Sequence, residues 1–381
     1  MEFGFLTQGY VPEYMRKNNP NAEHEVLMDD YDLCVEADKA GFKYIWISEH
    51  HFLDEYSHIS ANDAFLGSLA RTTTRAHLGS GIYNPLPKVN HPAKVAERVA
   101  MMDHLTEGRF EFGTGRGAGS LEVTGFHEEF DQSDVSGTKE IWEETIAEFA
   151  KMWTQDTYEG FQGRHWSMPP RKVLPKPYKK PHPALWYAAG NPSSFEMAGR
   201  KGLGILGFSL DKLDVTEKAF QIYKKAIADA EPVGCYVNDN LLVASGITFL
   251  AEDRDQARRW AIDEQINYHF SQVYRYHDTF PRPEGFPVWP EVMPAVSPEM
   301  LDGLIDMGAA QVGDPDDVLA QVKRWEATGA DQMMFMRGTK TKEQCLAMIR
   351  LMGEHIIPKI DKDPVHRTTR FRDEAAALVS A

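Results

Sequence analysis

Short apolar runs and amphipathic helical stretches alternate along almost the whole of this 381-residue chain. That alternation is the signature of βα units and a parallel sheet. Strand patterns fall at 3–7, 44–48, 76–81, 109–113, 184–188, 204–208, 241–250 and 332–336. Helical patterns follow at about 25–40, 62–74, 92–106, 137–154, 193–201, 214–230, 253–273 and 341–357. Eight such pairs predict a (β/α)8 TIM barrel with loop insertions, a fold that routinely reaches this length as one domain. Pro92 stands at a helix start, where its missing N–H costs nothing. Gly41, Gly108 and Gly202 follow helical runs, as C-terminal capping glycines do. The expected organisation is one barrel over 1–360 and a charged C-terminal segment over 361–381, either a mobile tail or a weak surface helix.

Three segments exceed a minimal barrel. Residues 8–24 read as a polar loop, and 158–183 hold six prolines, which bars regular helix or central strand. Residues 277–298 are long, proline-rich and aromatic (Phe280, Phe286, Trp289), which predicts a lid over something apolar, with a disordered surface excursion as the alternative.

Charge and cysteine content narrow the partners. With 41 basic and 57 acidic residues the net charge is −16, which argues against nucleic acid or an anionic membrane as partner. No apolar run approaches a membrane span, no signal sequence is evident, and the three cysteines are far apart. A cytoplasmic protein without a disulfide framework or metal site is expected.

Candidate chemistry sits at the ends of the strand patterns, where barrel enzymes keep it. The second strand ends in Glu49-His50-His51-Phe52. An imidazole there can move protons near neutral pH, with Glu49 as its orienting carboxylate or as a salt-bridge partner only. The fourth strand runs into Thr114-Gly115-Arg116-Gly117-Ala118-Gly119, where glycine permits close approach and Arg116 offers a planar donor fork for phosphate. A tight turn explains the glycines equally well. After the fifth strand, Gly190-Asn191-Pro192-Ser193-Ser194 opens a helix whose free N–H groups favour an anion; an ordinary N-cap is the alternative. The third strand ends Leu78-Gly79-Ser80-Gly81-Ile82-Tyr83-Asn84, with small residues that suit a flat ring.

In these blocks, and in His91-Pro92, Gly108 to Gly117, Ala188 to Leu203 and Val312 to Pro315, the chain resembles the bacterial-luciferase-like flavin-dependent monooxygenases, in order over about 1–360. The resemblance is greatest to the luciferase alpha subunit. It implies a TIM barrel that takes reduced FMN from a separate flavin reductase. Oxygen adds at the flavin C4a carbon, and the peroxide then oxygenates a small apolar organic substrate. By position His50 matches the catalytic histidine; Arg116, Gly190, Asn191, Ser193, Ser194 and Lys139 match phosphate contacts. Ile82, Tyr83 and Asn84 match the strand end where a non-proline cis peptide supports the isoalloxazine ring. A homodimer is implied as well. The alternatives are a deazaflavin (F420)-dependent oxidoreductase of the same barrel family and a non-catalytic flavin-binding accessory subunit.

Overall fold

A computed structural model describes residues 1–208, 212–263, 266–280, 282 and 284–380, and closes the eight predicted strands into a barrel. The strands are β1 (Glu2–Thr7), β2 (Tyr44–Ile47), β3 (His77–Ser80), β4 (Phe110–Thr114), β5 (Ala184–Ala189), β6 (Gly204–Phe208), β7 (Leu241–Ser245) and β8 (Gln332–Met336). Each pairs in parallel with the next, and β8 returns to β1 with Glu2 opposite Gln332 and Leu6 opposite Met336.

Period-two alternation sorts each strand into two environments. Leu6, Trp46, Trp186, Leu206, Leu242 and Met334 point inward and fill the barrel. Phe3, Phe5, Ile45, Phe112 and Phe335 point outward, beneath the helical layer. Trp46 and Trp186 meet edge to face at 5.4 Å in the lumen. Their bulk requires glycine on neighbouring strands: a Cβ on Gly79 would collide with the Trp46 ring, and one on Gly204 would stand 2.6 Å from Trp186. The lumen is a packed core, and the free space lies above it.

Some elements depart from the sequence reading. The apolar run 241–250 divides at Gly246: β7 stays in the barrel, while Ile247–Leu250 pairs in parallel with Ala310–Gly313 outside it. The polar stretch 8–24 contains a short helix, Glu13–Asn18, and the start of the helix Ala22–Ala40. The stretch 137–154 is two helices, Thr138–Ile146 and Phe149–Thr154.

The segment expected to be a charged tail carries a fourteen-residue helix, Arg367–Ser380, docked across the N-terminal end of the barrel. Arg372 forms a bidentate pair with Asp103 at 2.9 and 2.8 Å, with both side chains buried. Thr368 Oγ1 donates to Glu111 Oε1 at 2.6 Å, and Trp186 Nε1 donates to Glu111 Oε2 at 2.7 Å. Burial pushes the Glu111 carboxyl up to about 7. The charges that suggested a solvated tail are the ones that fasten it, because a charge enters the interior when paired.

Candidate functional site

At the C-terminal ends of the strands a cavity of about 440 Å³ opens over the packed lumen. Its floor is Leu6, Trp46, Leu206 and Met334. Ser48 and His50 follow β2, Gly81 and Ile82 follow β3, Arg116 to Gly119 follow β4, and Asn191 and Ser194 follow β5. Residues 132–136 and 277–280 cover it from above. The volume lies within the range of small-molecule and cofactor sites.

His50 lines this cavity with its side chain 11% exposed. The carboxylate beside it is Glu122, from the helix Ser120–Phe126, with Oε2 3.4 Å from His50 Nδ1. The same carboxylate accepts the backbone N–H groups of Ala118 (2.6 Å) and His51 (3.2 Å). Glu122 thus ties the turn after β2 to the glycine-rich turn after β4, where Gly117 adopts a φ of +100°. With Nδ1 facing this carboxylate, Nε2 is the nitrogen left for a ligand. Across the cavity from the floor stands His277, 6.1 Å from His50 ring to ring. Burial above all, and then the charge of a protonated His50, pushes the His277 imidazole down to about 3.

Glu49 does not orient His50. Beyond the end of β2 the two side chains diverge, and the Glu49 carboxylate turns behind the site. There it accepts from Arg98 Nη2 at 3.2 Å and lies 3.8 Å from His51 Nε2. That contact raises the His51 pKa despite the opposing effect of burial.

The phosphate candidates divide. Arg116 lines the cavity, with Nη1 donating to Thr138 Oγ1 at 2.9 Å and Nε to Tyr187 OH at 3.4 Å. Gly190, Asn191 and Ser194 line the same cavity. Asn191 caps the helix Pro192–Arg200, its Oδ1 accepting from Ser194 N at 3.0 Å. The exposed Ser193 is outside the lining and spends its hydroxyl on Asn191 Oδ1. Lys139 is exposed and likewise outside the lining, since it stands one position past the buried Thr138 that does contribute.

At the end of β3 the peptide between Gly81 and Ile82 is cis, and both residues line the cavity. Tyr83 and Asn84 do not. Alternation sends the Tyr83 ring outward under the Arg98 guanidinium, 4.3 Å from the ring centroid. Asn84 builds the following turn, its Oδ1 accepting from Leu86 N at 3.1 Å.

Sequence reasoning missed Glu122, His277 and Thr138. Glu122 was visible only as an acid in a first helical turn, which ordinary helix electrostatics explains. His277 stood at the edge of the segment read as a lid and was not singled out. Thr138 was passed over for the charged residue beside it.

The luciferase-like monooxygenase profile matches residues 1–332. The chain is 25% identical over 360 residues to the oxygenase component of a flavin-dependent trigonelline monooxygenase from Acinetobacter baylyi, covering 92% of this chain and 95% of that one. It is 26% identical over 343 residues to limonene 1,2-monooxygenase from Rhodococcus erythropolis, covering 88% and 82%. An F420-dependent glucose-6-phosphate dehydrogenase from Amycolatopsis mediterranei is 24% identical over 359 residues, covering 89% and 96%. In fold, the chain matches the oxygenating constituent of 3,6-diketocamphane monooxygenase from Pseudomonas putida, solved with FMN. That match has a TM-score of 0.74 at 19% identity and covers 94% of this chain and 99% of that one. The chain belongs to the luciferase-like monooxygenase family, and it is an enzyme, an oxidoreductase of the flavin-dependent monooxygenase class. Among the described residues no helix is long and apolar enough to cross a membrane.

Proposed function

We propose that this chain is the oxygenase of a two-component cytoplasmic system. It takes reduced FMN from a separate flavin reductase and uses O2 to oxygenate a small apolar organic molecule, working as a homodimer. The observation that carries the reading is the shared wall of the mouth cavity: Arg116 and the Asn191-capped helix start line it together. A guanidinium fork and the positive end of a helix dipole suit one phosphate group, although Asn191 Oδ1 already takes the Ser194 N–H.

The cavity also fits a flat tricyclic ring. Gly81, Ile82, Ala188 and Gly207 supply small or flat surface. Reduced FMN, when bound, supplies two electrons and the carbon at which oxygen is activated. Arg116 and the helix start hold the phosphate end. His50, fixed at Nδ1 by Glu122, holds or moves a proton at Nε2. Phe280 and its neighbours in 277–298 act as a lid that excludes water from the reacting centre.

The F420-dependent relative supports a second reading, hydride transfer with a deazaflavin on the same barrel. Comparing FMN with riboflavin, which lacks the phosphate, tests the leading one. Arg116→Ala should weaken FMN binding by about 10–100-fold, the worth of a charged hydrogen bond, and riboflavin binding by less than about threefold. Equal losses for both ligands, read by flavin fluorescence quenching, would put the phosphate elsewhere.

A further inference from the structure

We infer that a substrate subsite lies behind the mouth cavity, built for a neutral, largely apolar molecule whose single carbonyl or hydroxyl oxygen is held by His269. The naming of its occupant as substrate rests on the oxygenase reading; the binding site itself does not.

A small inner pocket of about 20 Å³ adjoins the mouth cavity and shares three residues with it: Phe208, His277 and Phe280. A third hollow of about 90 Å³, over the helix Pro192–Arg200, is also bounded by Phe208 and Phe280. Three spaces thus meet at two aromatic rings, whose centroids are 6.4 Å apart. Phe208 ends β6, while Phe280 follows the helix Ile266–Tyr276 and packs over Gly190. Rotation of the Phe280 side chain joins the inner pocket to the cavity assigned to flavin. In the closed arrangement the inner pocket holds no more than a water-sized guest.

The remaining walls are apolar apart from one group. Phe270, Val273, Met336 and Ala244 line the inner pocket together with the Tyr56 ring. No carboxylate, lysine or arginine among the described residues lines it. A charged guest would lose its hydration there without an ionic partner, so the guest is neutral. The exception is His269, on the helix Ile266–Tyr276, stacked on Tyr56 at 5.2 Å and met edge-on by Tyr10 at 4.6 Å. Its Nδ1 is buried and has no hydrogen-bond partner among the described residues. An orphaned buried nitrogen is costly, and native interiors seldom tolerate one without a ligand or a water to pair it. Burial first, and then the charge of Lys340, pushes the imidazole down to about 4. The ring is therefore neutral at working pH and can donate to a carbonyl or exchange a hydrogen bond with a hydroxyl.

The test uses flavin-free protein and a matched probe pair, cyclohexanone and methylenecyclohexane, which differ in carrying C=O or C=CH2. Dissociation constants come from ligand-observed NMR titration. Wild-type protein should prefer the ketone by about tenfold, the worth of one neutral hydrogen bond. His269→Phe keeps the ring stacked on Tyr56 and should bring the preference close to one. Phe280→Ala, which opens the wall and leaves the imidazole untouched, should retain the preference while tightening both probes. The same ratio in wild type and His269→Phe would overturn the subsite, as would binding of neither probe to wild type and Phe280→Ala. A resident water on His269 that no probe displaces gives that second result. FMN affinity of His269→Phe is measured alongside. Normal FMN binding without the probe contrast removes only the subsite, and a probe contrast without FMN binding removes only the flavin reading.

Discussion

Asp103→Ala tests whether the C-terminal helix is part of the barrel. Asp103 is fully buried on the helix Pro92–Leu105, and Arg372 is nearly so. The carboxylate receives both guanidinium Nη atoms and also accepts the Lys179 backbone N–H at 3.1 Å. Arg372 donates further to the carbonyl oxygens of Gly108 and Lys179. Removing the carboxylate strands a buried guanidinium and one backbone N–H. The stranded ion costs about 3–5 kcal/mol and the N–H on the order of 1 kcal/mol more. Replacing both partners with apolar residues (Asp103→Leu with Arg372→Met) removes the charge altogether and should cost roughly 2 kcal/mol less than Asp103→Ala alone. The assay is urea unfolding of wild type, Asp103→Ala and the double variant, at matched slope. A loss below about 1 kcal/mol for Asp103→Ala would mean that the helix does not dock in solution and that the tail reading stands.

Glu122→Gln replaces one acceptor oxygen with an amide donor that faces the backbone N–H of either Ala118 or His51. It should cost about 1–3 kcal/mol in stability and change the His50 tautomer, seen in its ring 15N shifts; unchanged shifts would deny Glu122 its positioning role. Acid should destabilise the fold through its buried neutral histidines. Burial holds His182 and His269 at about 4 and His277 at about 3. Each is depressed below its unfolded value near 6.5, so the unfolded chain binds more protons between those limits. Stability is then full above about pH 6.5 and falls as pH drops toward 4, by up to about 4 kcal/mol per pH unit for the three together. Glu111, raised to about 7 by burial, acts the opposite way between its unfolded value and 7 and softens the upper part of the slope. Equal urea midpoints at pH 7 and pH 5 would contradict this.

The barrel was legible because period-two runs and helical runs alternate, and that pattern depends on local spacing alone. The split of 241–250 was not, since Gly246 interrupts a run that stays apolar on both sides; only the Ile247–Leu250 pairing with Ala310–Gly313 shows where its second half goes. His50 and Arg116 could be placed because they closely follow the ends of strands. Their partners could not, because Glu122 lies 72 residues from His50 in sequence and meets it through tertiary contact. Glu49 misled because neighbours in sequence need not share a face: its carboxylate meets Arg98 and not His50. The docking of the helix Arg367–Ser380 was hidden because composition counts charges without showing which are paired.

The measurement that bears most directly on the proposed activity is a rapid mix of protein, loaded anaerobically with reduced FMN, against oxygenated buffer while the flavin spectrum is recorded. A long-lived absorbing species distinct from both reduced and oxidised FMN is the expected result. His50→Ala should retain flavin affinity while the oxygenated product of a turned-over substrate is lost. Return to oxidised FMN at the rate of free flavin in solution, with no intervening species, would contradict the oxygenase reading and favour hydride transfer on a deazaflavin.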